Sequence, residues 1–440
     1  MTGKKILKFS IITLLIALIF SIAYFAGKMD SEKSESNDVS SSSSILKMSK
    51  MMLSGEKTFL VLFQNNMELR PGGGFIGSFG VVKIENGKVK SYEIHDTSNF
   101  DGRIPENKEM PFPMKKVFRI DAWKLRDSNY SPDYPTNAKK ALEFYYQGQG
   151  GEKFDGVLAM NAAVLESILK VTGPIKVEGY PVVFEPGSAL ITLEKQVEID
   201  FAKQGIEREN RKDVMHDFLN EVLKKTTALS KLDKLKLAKS LVGEFKNKNI
   251  QLYFNENKDG EALLEELGWS GKVDSAWNND YLMVVDANLG AYKSDYFVKR
   301  NMQYTVDLAK EIPEASLKIT YNHTGKVKDW MTRDYLTYLR VYLPKGARIN
   351  NFANIVESEV AYGEEFNKKF AGGFVKVPLN STKTIEIKYS LPRELRDKDY
   401  KLKIQKQSGS GIVPTVVDVK LKNGETKHFD LSLNGDVIVK

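Results

Sequence analysis

VLAMNAAVLESILKVTGP, residues 157–174, changes its hydrophobic period midway. Val157 to Met160 form a short continuous apolar run with the length of a buried strand. After Asn161, the apolar residues Val164, Leu165, Ile168 and Leu169 recur at the spacing of one helical face. Asn161 is a capping residue type and Gly173-Pro174 a stop, so the stretch predicts a strand followed by a helix. Upstream, TFLVLF (58–63) has the β-branched and aromatic bias of a second buried strand. Phe75 to Ile84 and Val89 to His95 flank Glu85-Asn86-Gly87-Lys88, and Asn-Gly is the pair that a type I′ hairpin turn requires.

Helical spacing recurs around this sheet. Ala138, Ala141, Leu142 and Tyr145 share one face of a helix over 137–147 that stops at Gly148. Val214, Phe218 and Val222 mark another helix, and Leu232, Leu235, Ala238, Leu241, Val242 and Phe245 a third. Strands alternating with helices predict an α/β domain over 57–275. From residue 280 to 440 eight strand-like runs follow with no helix between them, among them YLMVVDA, SLKITYN, YLTYLRVYLP and KTIEIKYSL, which predicts an all-β antiparallel sandwich.

The start of the chain has a different character. Phe9 to Gly27 is free of charge, and as a helix it would span about 28 Å, enough to cross a bilayer core. Lys4, Lys5 and Lys8 precede it, so the positive-inside rule places tail 1–8 in the cytoplasm and everything after anchor 9–27 outside, as in a single-pass plasma-membrane protein. A cleaved signal peptide is the competing reading, but the run exceeds a usual h-region and Tyr24 spoils a small-x-small site ending at Ala26. Residues 28–56 contain DSEKSESNDVSSSSS and are expected to form a flexible tether.

Composition excludes several chemistries. The 440 residues include no cysteine, which removes disulfides, thiolate metal sites and thiol nucleophiles, and the four histidines are too scattered for a zinc site. The net charge of +8 is spread along the chain, and no DNA- or RNA-binding motif accompanies it. No nucleophile-elbow signature supports Ser-His-Asp chemistry.

The densest cluster of unusual residues is QNNMELRPGGGFIGSFG, 64–80. Gly72, Gly74 and Gly77 fit G-x-G-x-x-G, but a strand rather than a helix follows, so a dinucleotide site is rejected. Gly72, Gly73 and Gly74 still allow positive φ and close backbone approach, and Arg70 could hold a phosphate or carboxylate, with Asn65 and Glu68 beside it. Alternatively the glycines form a strained turn, with Arg70 and Glu68 as a structural ion pair. Asp96, Asp101, Asp127 and Asp133 are hard-oxygen candidates in loops, where turn and cap roles are the default. Arg126 to Asp133 either lines a site or caps the next helix. Residues 201–250 carry 12 basic and 7 acidic residues; a solvated helical face is the default there, and anionic lipid or a phosphorylated carrier the alternative.

FLVLFQNNMELRPGGGFIGSFG, LRDSNYSPDYP, FDGVLAMNAAVLESILKVTGPIKV, DANLGAYKSDYFVKR, YLRVYLPKGA and IQKQSG together strongly resemble the domain-of-unknown-function 4012 family of membrane-anchored bacterial proteins. That resemblance implies no established activity. A weaker likeness, carried by the order of elements, by LESILKVTGP (165–174) and by Arg208-Glu209-Asn210-Arg211-Lys212, is to the LytR-CpsA-Psr family. It implies a mixed sheet with flanking helices, and the transfer of glycopolymers from polyprenyl phosphate carriers. The family's Arg-Asp motif falls on His95-Asp96-Thr97, which lacks the arginine that pyrophosphate chemistry uses to neutralise charge. The expectation is an envelope protein that binds or transfers a lipid-linked glycan, with Arg70, Asp96, Arg126 and Arg211 lining the pocket. No metal site is expected, and Mg²⁺ would enter only with transferase chemistry. The alternative is a noncatalytic assembly protein that docks partners or polymer through its sandwich.

Overall fold

The computed structural model of the protein describes residues 39–119, 122–356 and 359–440. The expected tail and anchor lie outside these residues, and among the described residues no helix is long and apolar enough to cross a membrane. The chain divides into two compact units. One takes the described residues up to Gln64, then Gly77–Phe100 and Gln149–Ser270; the other takes Asn65–Ile76, Asp101–Gly148 and Gly271–Lys440. The expected split at 275/280 differs from this division, because Asn65–Ile76 and Asp101–Gly148 belong with the C-terminal strands.

The first unit is a mixed α/β layer. Strands β1 (Glu56–Asn65), β2 (Phe75–Glu85), β3 (Lys88–Asp96), β4 (Gly156–Asn161) and β7 (Ile250–Phe254) form a sheet in the order β3-β2-β1-β4-β7, with β5 (Ile175–Lys176) and β6 (Val183–Phe184) as a separate short pair. β1 and β4 run parallel, while β2–β3 and β4–β7 are antiparallel. Asn86 (φ 48°) and Gly87 (φ 75°) both take positive φ between β2 and β3, the backbone that a type I′ turn demands. The helix after β4 runs Ala163–Thr172; Asn161 Oδ1 accepts from the Ala163 amide at 3.0 Å, and Gly173 at φ 76° ends it. Alternate strand residues Phe59, Val61, Val82, Ile84, Leu158, Met160 and Leu252 share one core with Val164, Ile168, Phe218, Val222, Leu241 and Leu264 from the helices.

Two expectations fail here. The tether does not persist to residue 56: Val39–Leu53 is helical, with Met48 and Met52 buried in the core and Ser44 Oγ donating to Glu266 Oε1 at 2.6 Å. Ile45, Met48 and Met52 lie on one face, and that apolar stripe, C-terminal to the serines, offsets the ordering entropy that the serines alone cannot. Leu232 is 63% exposed and takes no part in the stripe of its helix, Lys231–Lys246, where Leu237 is buried instead.

The second unit has two six-stranded sheets. Its strands are β8 (Asp280–Asn288), β9 (Val298–Asp307), β10 (Glu314–His323), β11 (Tyr335–Leu343), β12 (Arg348–Ala353), β13 (Ala361–Glu365), β14 (Lys368–Val377), β15 (Ser381–Ser390), β16 (Leu402–Gln405), β17 (Val413–Lys420), β18 (Thr426–Leu433) and β19 (Val437–Val439). The orders are β12-β15-β10-β9-β17-β18 and β13-β14-β11-β8-β16-β19. Leu282, Leu339 and Val375 from one sheet meet Tyr304, Ile319 and Ile387 from the other in a shared core. All eight runs read from the sequence are strands, but the unit is not purely antiparallel: β16 lies parallel to β8 and β17 parallel to β9. β16 and β17 follow the whole meander and return to the flanks of its first strands, where a hairpin's reversal of direction does not apply.

Candidate functional site

The glycine-rich segment is built into the second unit. Arg70 is 2% exposed. Its Nε donates to Asp127 Oδ1 (3.1 Å), Nη2 to Glu68 Oε1 (2.9 Å) and Nη1 to the Asn288 carbonyl (2.7 Å), while the guanidinium lies 5.5 Å from the Phe75 ring centroid and 5.7 Å from that of Phe118. Burial opposes the charge, but the carboxylates of Glu68 and Asp127 outweigh it and hold the guanidinium above its ordinary range. Gly72 donates its amide to the Asn129 carbonyl at 2.9 Å, and Asn129 Nδ2 donates to the Gly74 carbonyl at 2.6 Å. Gly72 also bridges Ser408, and Gln407 Nε2 donates to the Arg70 carbonyl. Asn65 turns the chain, its Oδ1 accepting from the Met67 amide. A Cβ on Gly74 would sit 2.5 Å from the Asn65 carbonyl, and one on Gly409 1.9 Å from the Gly73 oxygen, so close approach of backbone to backbone is what the glycines serve.

The fragments LRPGGG, RDSN, DANLG and KQSG, far apart in sequence, therefore interlock at Arg70. Arg126 stands apart from that knot, its Nε 2.5 Å from Asp101 Oδ2. Burial raises the Asp101 carboxyl above its usual range, and Arg126 pulls only partly in the other direction. Asp133 caps the helix Tyr134–Gln147, its Oδ2 accepting from the Thr136 amide.

The remaining two candidates belong to the first unit. Asp96 ends β3 and pairs with Lys212, 116 residues on, while its Oδ1 accepts from the Asn99 amide at 3.1 Å. Burial works to raise this carboxyl, but the hydrogen bonds from Lys212 and Asn99 prevail and hold it below the ordinary range. Arg211 stands 3.7 Å from Glu198, whose carrier turn Gln196–Asp200 is a π-helix, a form that recurs at functional sites. Arg211 and Lys212 immediately precede the helix Asp213–Thr227, where the helix dipole adds positive potential. All four side chains keep partial exposure: 26% for Arg211, 43% for Lys212, 23% for Asp96 and 36% for Glu198. Phe79 stacks on His95 with ring centroids 4.9 Å apart. Among the described residues no three His, Asp or Glu side chains gather as a metal-binding set.

The expected pocket of Arg70, Asp96, Arg126 and Arg211 thus draws on both units. Glu68, Arg70 and Asp127 form one cluster; Asp96 pairs with Lys212, whose chain neighbour Arg211 faces Glu198. Lys212 has no signal of its own in the basic run 208–212, because only tertiary structure brings it to Asp96.

Residues 54–197 match the family described as protein of unknown function DUF4012. The match takes in β1 to β6, the glycine-rich segment and Asp96, and ends before Arg211. A comparison with curated proteins finds no match. Among solved structures the chain is similar to TagV of B. subtilis, at 13% identity over 50% of this chain and 83% of that one, with a TM-score of 0.26. It is also similar to the Lin1025 protein of Listeria innocua (14% identity, 48% and 77% coverage, TM-score 0.27) and to gbs0355 of Streptococcus agalactiae (15%, 54% and 78%, TM-score 0.28). Likeness at this level carries no site or chemistry across, and the DUF4012 description names none.

Proposed function

We propose that this is an extracytoplasmic envelope protein, anchored through Phe9–Gly27, whose first unit binds a phosphate-bearing, lipid-linked glycan at Arg211 and Lys212. One observation carries the reading: Asp96 and Lys212, distant in sequence, meet beside Arg211 at the start of a helix, and all three remain partly exposed. Arg211 has only a loose contact to Glu198, so its planar fork retains donors for phosphate oxygens. Lys212 supplies a cation beside the motif position that lacks an arginine. Arg70 is excluded from this role because its donors are spent inside the second unit.

The test is binding of polyprenyl pyrophosphate to the full chain in detergent, followed by calorimetry. Arg211→Ala and Lys212→Ala should each weaken it about tenfold to a hundredfold, as expected for a lost charge-assisted hydrogen bond. Unchanged affinity in both variants overturns the reading. Transfer of the glycan is a further step, tested by Mg²⁺-dependent turnover of polyprenyl-pyrophosphoryl sugars.

A second reading, noncatalytic assembly through the β unit, has its own observation. An open groove of about 400 Å³ crosses one sheet, lined by Asp307, Ser316, Asn350, Lys388, Asp418 and Lys420 among others. Its side chains carry both signs of charge, with Val306, Ala315 and Tyr389 between them, a lining that offers an envelope polymer both polar and apolar contacts. Retention of the full chain on immobilised wall polymer, lost in Lys388→Ala with Asp418→Ala, would favour it.

A further inference from the structure

The helices Asp213–Thr227 and Lys231–Lys246 are joined by the three residues 228–230, and the sequence around that connection is unlike the rest of the first unit. Between Lys224 and Lys239 stand six lysines, at 224, 225, 231, 234, 236 and 239, against a single acid, Asp233. Three are engaged: Lys224 lies 3.5 Å from Glu221, Lys236 lies 2.8 Å from Asp233, and Lys225 donates to the Pro174 carbonyl. Lys231, Lys234 and Lys239 have no ion-pair partner among the described residues. At the centre Leu232 is 63% exposed.

The unpaired residues among these do not help the fold. Lys231 and Lys234 occupy the first turn of their helix, where positive charge opposes the macrodipole, and Leu232 contributes nothing to the core from where it stands. A scattered exposed leucine needs no explanation, but a leucine flanked in sequence by the unpaired Lys231 and Lys234 at a helix start is a combination that folding alone disfavours.

We infer that the start of the helix Lys231–Lys246, Lys231-Leu232 with Lys234, Lys236 and Lys239, is a membrane-surface contact that seats on a bilayer containing anionic phospholipid. The lysines match the headgroup charge, and their apolar stems and Leu232 suit the boundary beneath, which a soluble polyanion would not use. In the anchored reading the first unit begins close to the bilayer: from Gly27 to Val39 the chain reaches at most roughly 40 Å.

The chain has no cysteine, so Leu232→Cys gives a unique labelling site. The full chain carrying an environment-sensitive fluorophore there is reconstituted into phosphatidylglycerol-containing and into pure phosphatidylcholine vesicles. A label at Val327→Cys, 70% exposed in the second unit, serves as the control. The Leu232 label should blue-shift and be quenched by lipid-borne quenchers only in the anionic vesicles, losing most of that quenching in high salt or with Lys231→Gln, Lys234→Gln and Lys239→Gln combined. The Val327 label should not respond. Equal water exposure of the Leu232 label in both vesicles overturns the proposal, as does protection by soluble poly(glycerol phosphate) when vesicles give none. Alkaline extraction of the same vesicles reports the anchor separately, so a failed anchor and a failed contact at Leu232 are distinguishable.

Discussion

Arg70 Nε donates to Asp127 Oδ1 at 3.1 Å with both side chains buried, which makes this pair a structural tie of the second unit. Removing one partner of a buried ion pair strands the other, at a cost of about 3–5 kcal/mol. Arg70→Ala and Asp127→Ala should each lower the unfolding free energy obtained from denaturant melts by that order without altering the binding tested at Arg211. A loss below about 1 kcal/mol, the value of an exposed pair, would show that the tie is incidental.

The glycines around that tie are graded by what a side chain would meet. At Gly74 and Gly409 a Cβ would collide with backbone, at 2.5 Å and 1.9 Å, and at Gly72 with Asn137 Nδ2 at 2.4 Å, on a buried side chain that is hydrogen-bonded through both amide atoms to Ser131. Gly151, with nothing near, is the control. Gly72→Ala, Gly74→Ala and Gly409→Ala should therefore each cost several kcal/mol or prevent folding, and Gly151→Ala should cost clearly less. Equal melting temperatures across the series would remove the close-approach explanation.

Local signals were legible in the sequence wherever a residue acts on its own neighbours. Asn86-Gly87 specified the hairpin turn, Gly173 the helix stop, and Asn161 the start of a helix that its side chain does bind. What spacing did not show is long-range. Arg70 and Asp127 are 57 residues apart and Arg70 and Asn288 218, and no periodicity links them. Ligand binding and an ion pair at Arg70 and Glu68 are indistinguishable in the sequence for that reason, since both need the same residues. The serine run concealed a helix because its apolar stripe starts only at Ile45, and Leu232 looked like core because helical spacing does not say which end of a stripe is covered.

Met48 and Met52 test the helix that replaces the expected tether. Each is 1% exposed, and Met→Ala at such a site costs about 2–5 kcal/mol. Met48→Ala and Met52→Ala should destabilise the first unit by this order in urea melts. A true tether would tolerate both, and so would truncation to Leu53.

Stability should also depend on pH through two buried carboxyls of the second unit. Burial pushes Asp280 up to about 6, against the hydrogen bonds it accepts from the Tyr400 and Tyr304 hydroxyls and the Tyr281 amide. Asp295 is likewise raised to about 6 by burial, despite the Leu69 amide, Asn288, Tyr335 and the Arg300 charge. A carboxyl whose pKa is higher folded than unfolded binds more protons in the native state between the two values. Stability therefore falls as pH rises from about 4 to about 6, by on the order of 3 kcal/mol per group, and levels off above. Asp280→Asn and Asp295→Asn carry no such titration, so the double variant should lose this part of the slope whatever its absolute stability. Urea midpoints across that interval decide the matter: a slope unchanged in the double variant would mean that other groups set the acid response, and that the two aspartates are ionised in the fold throughout.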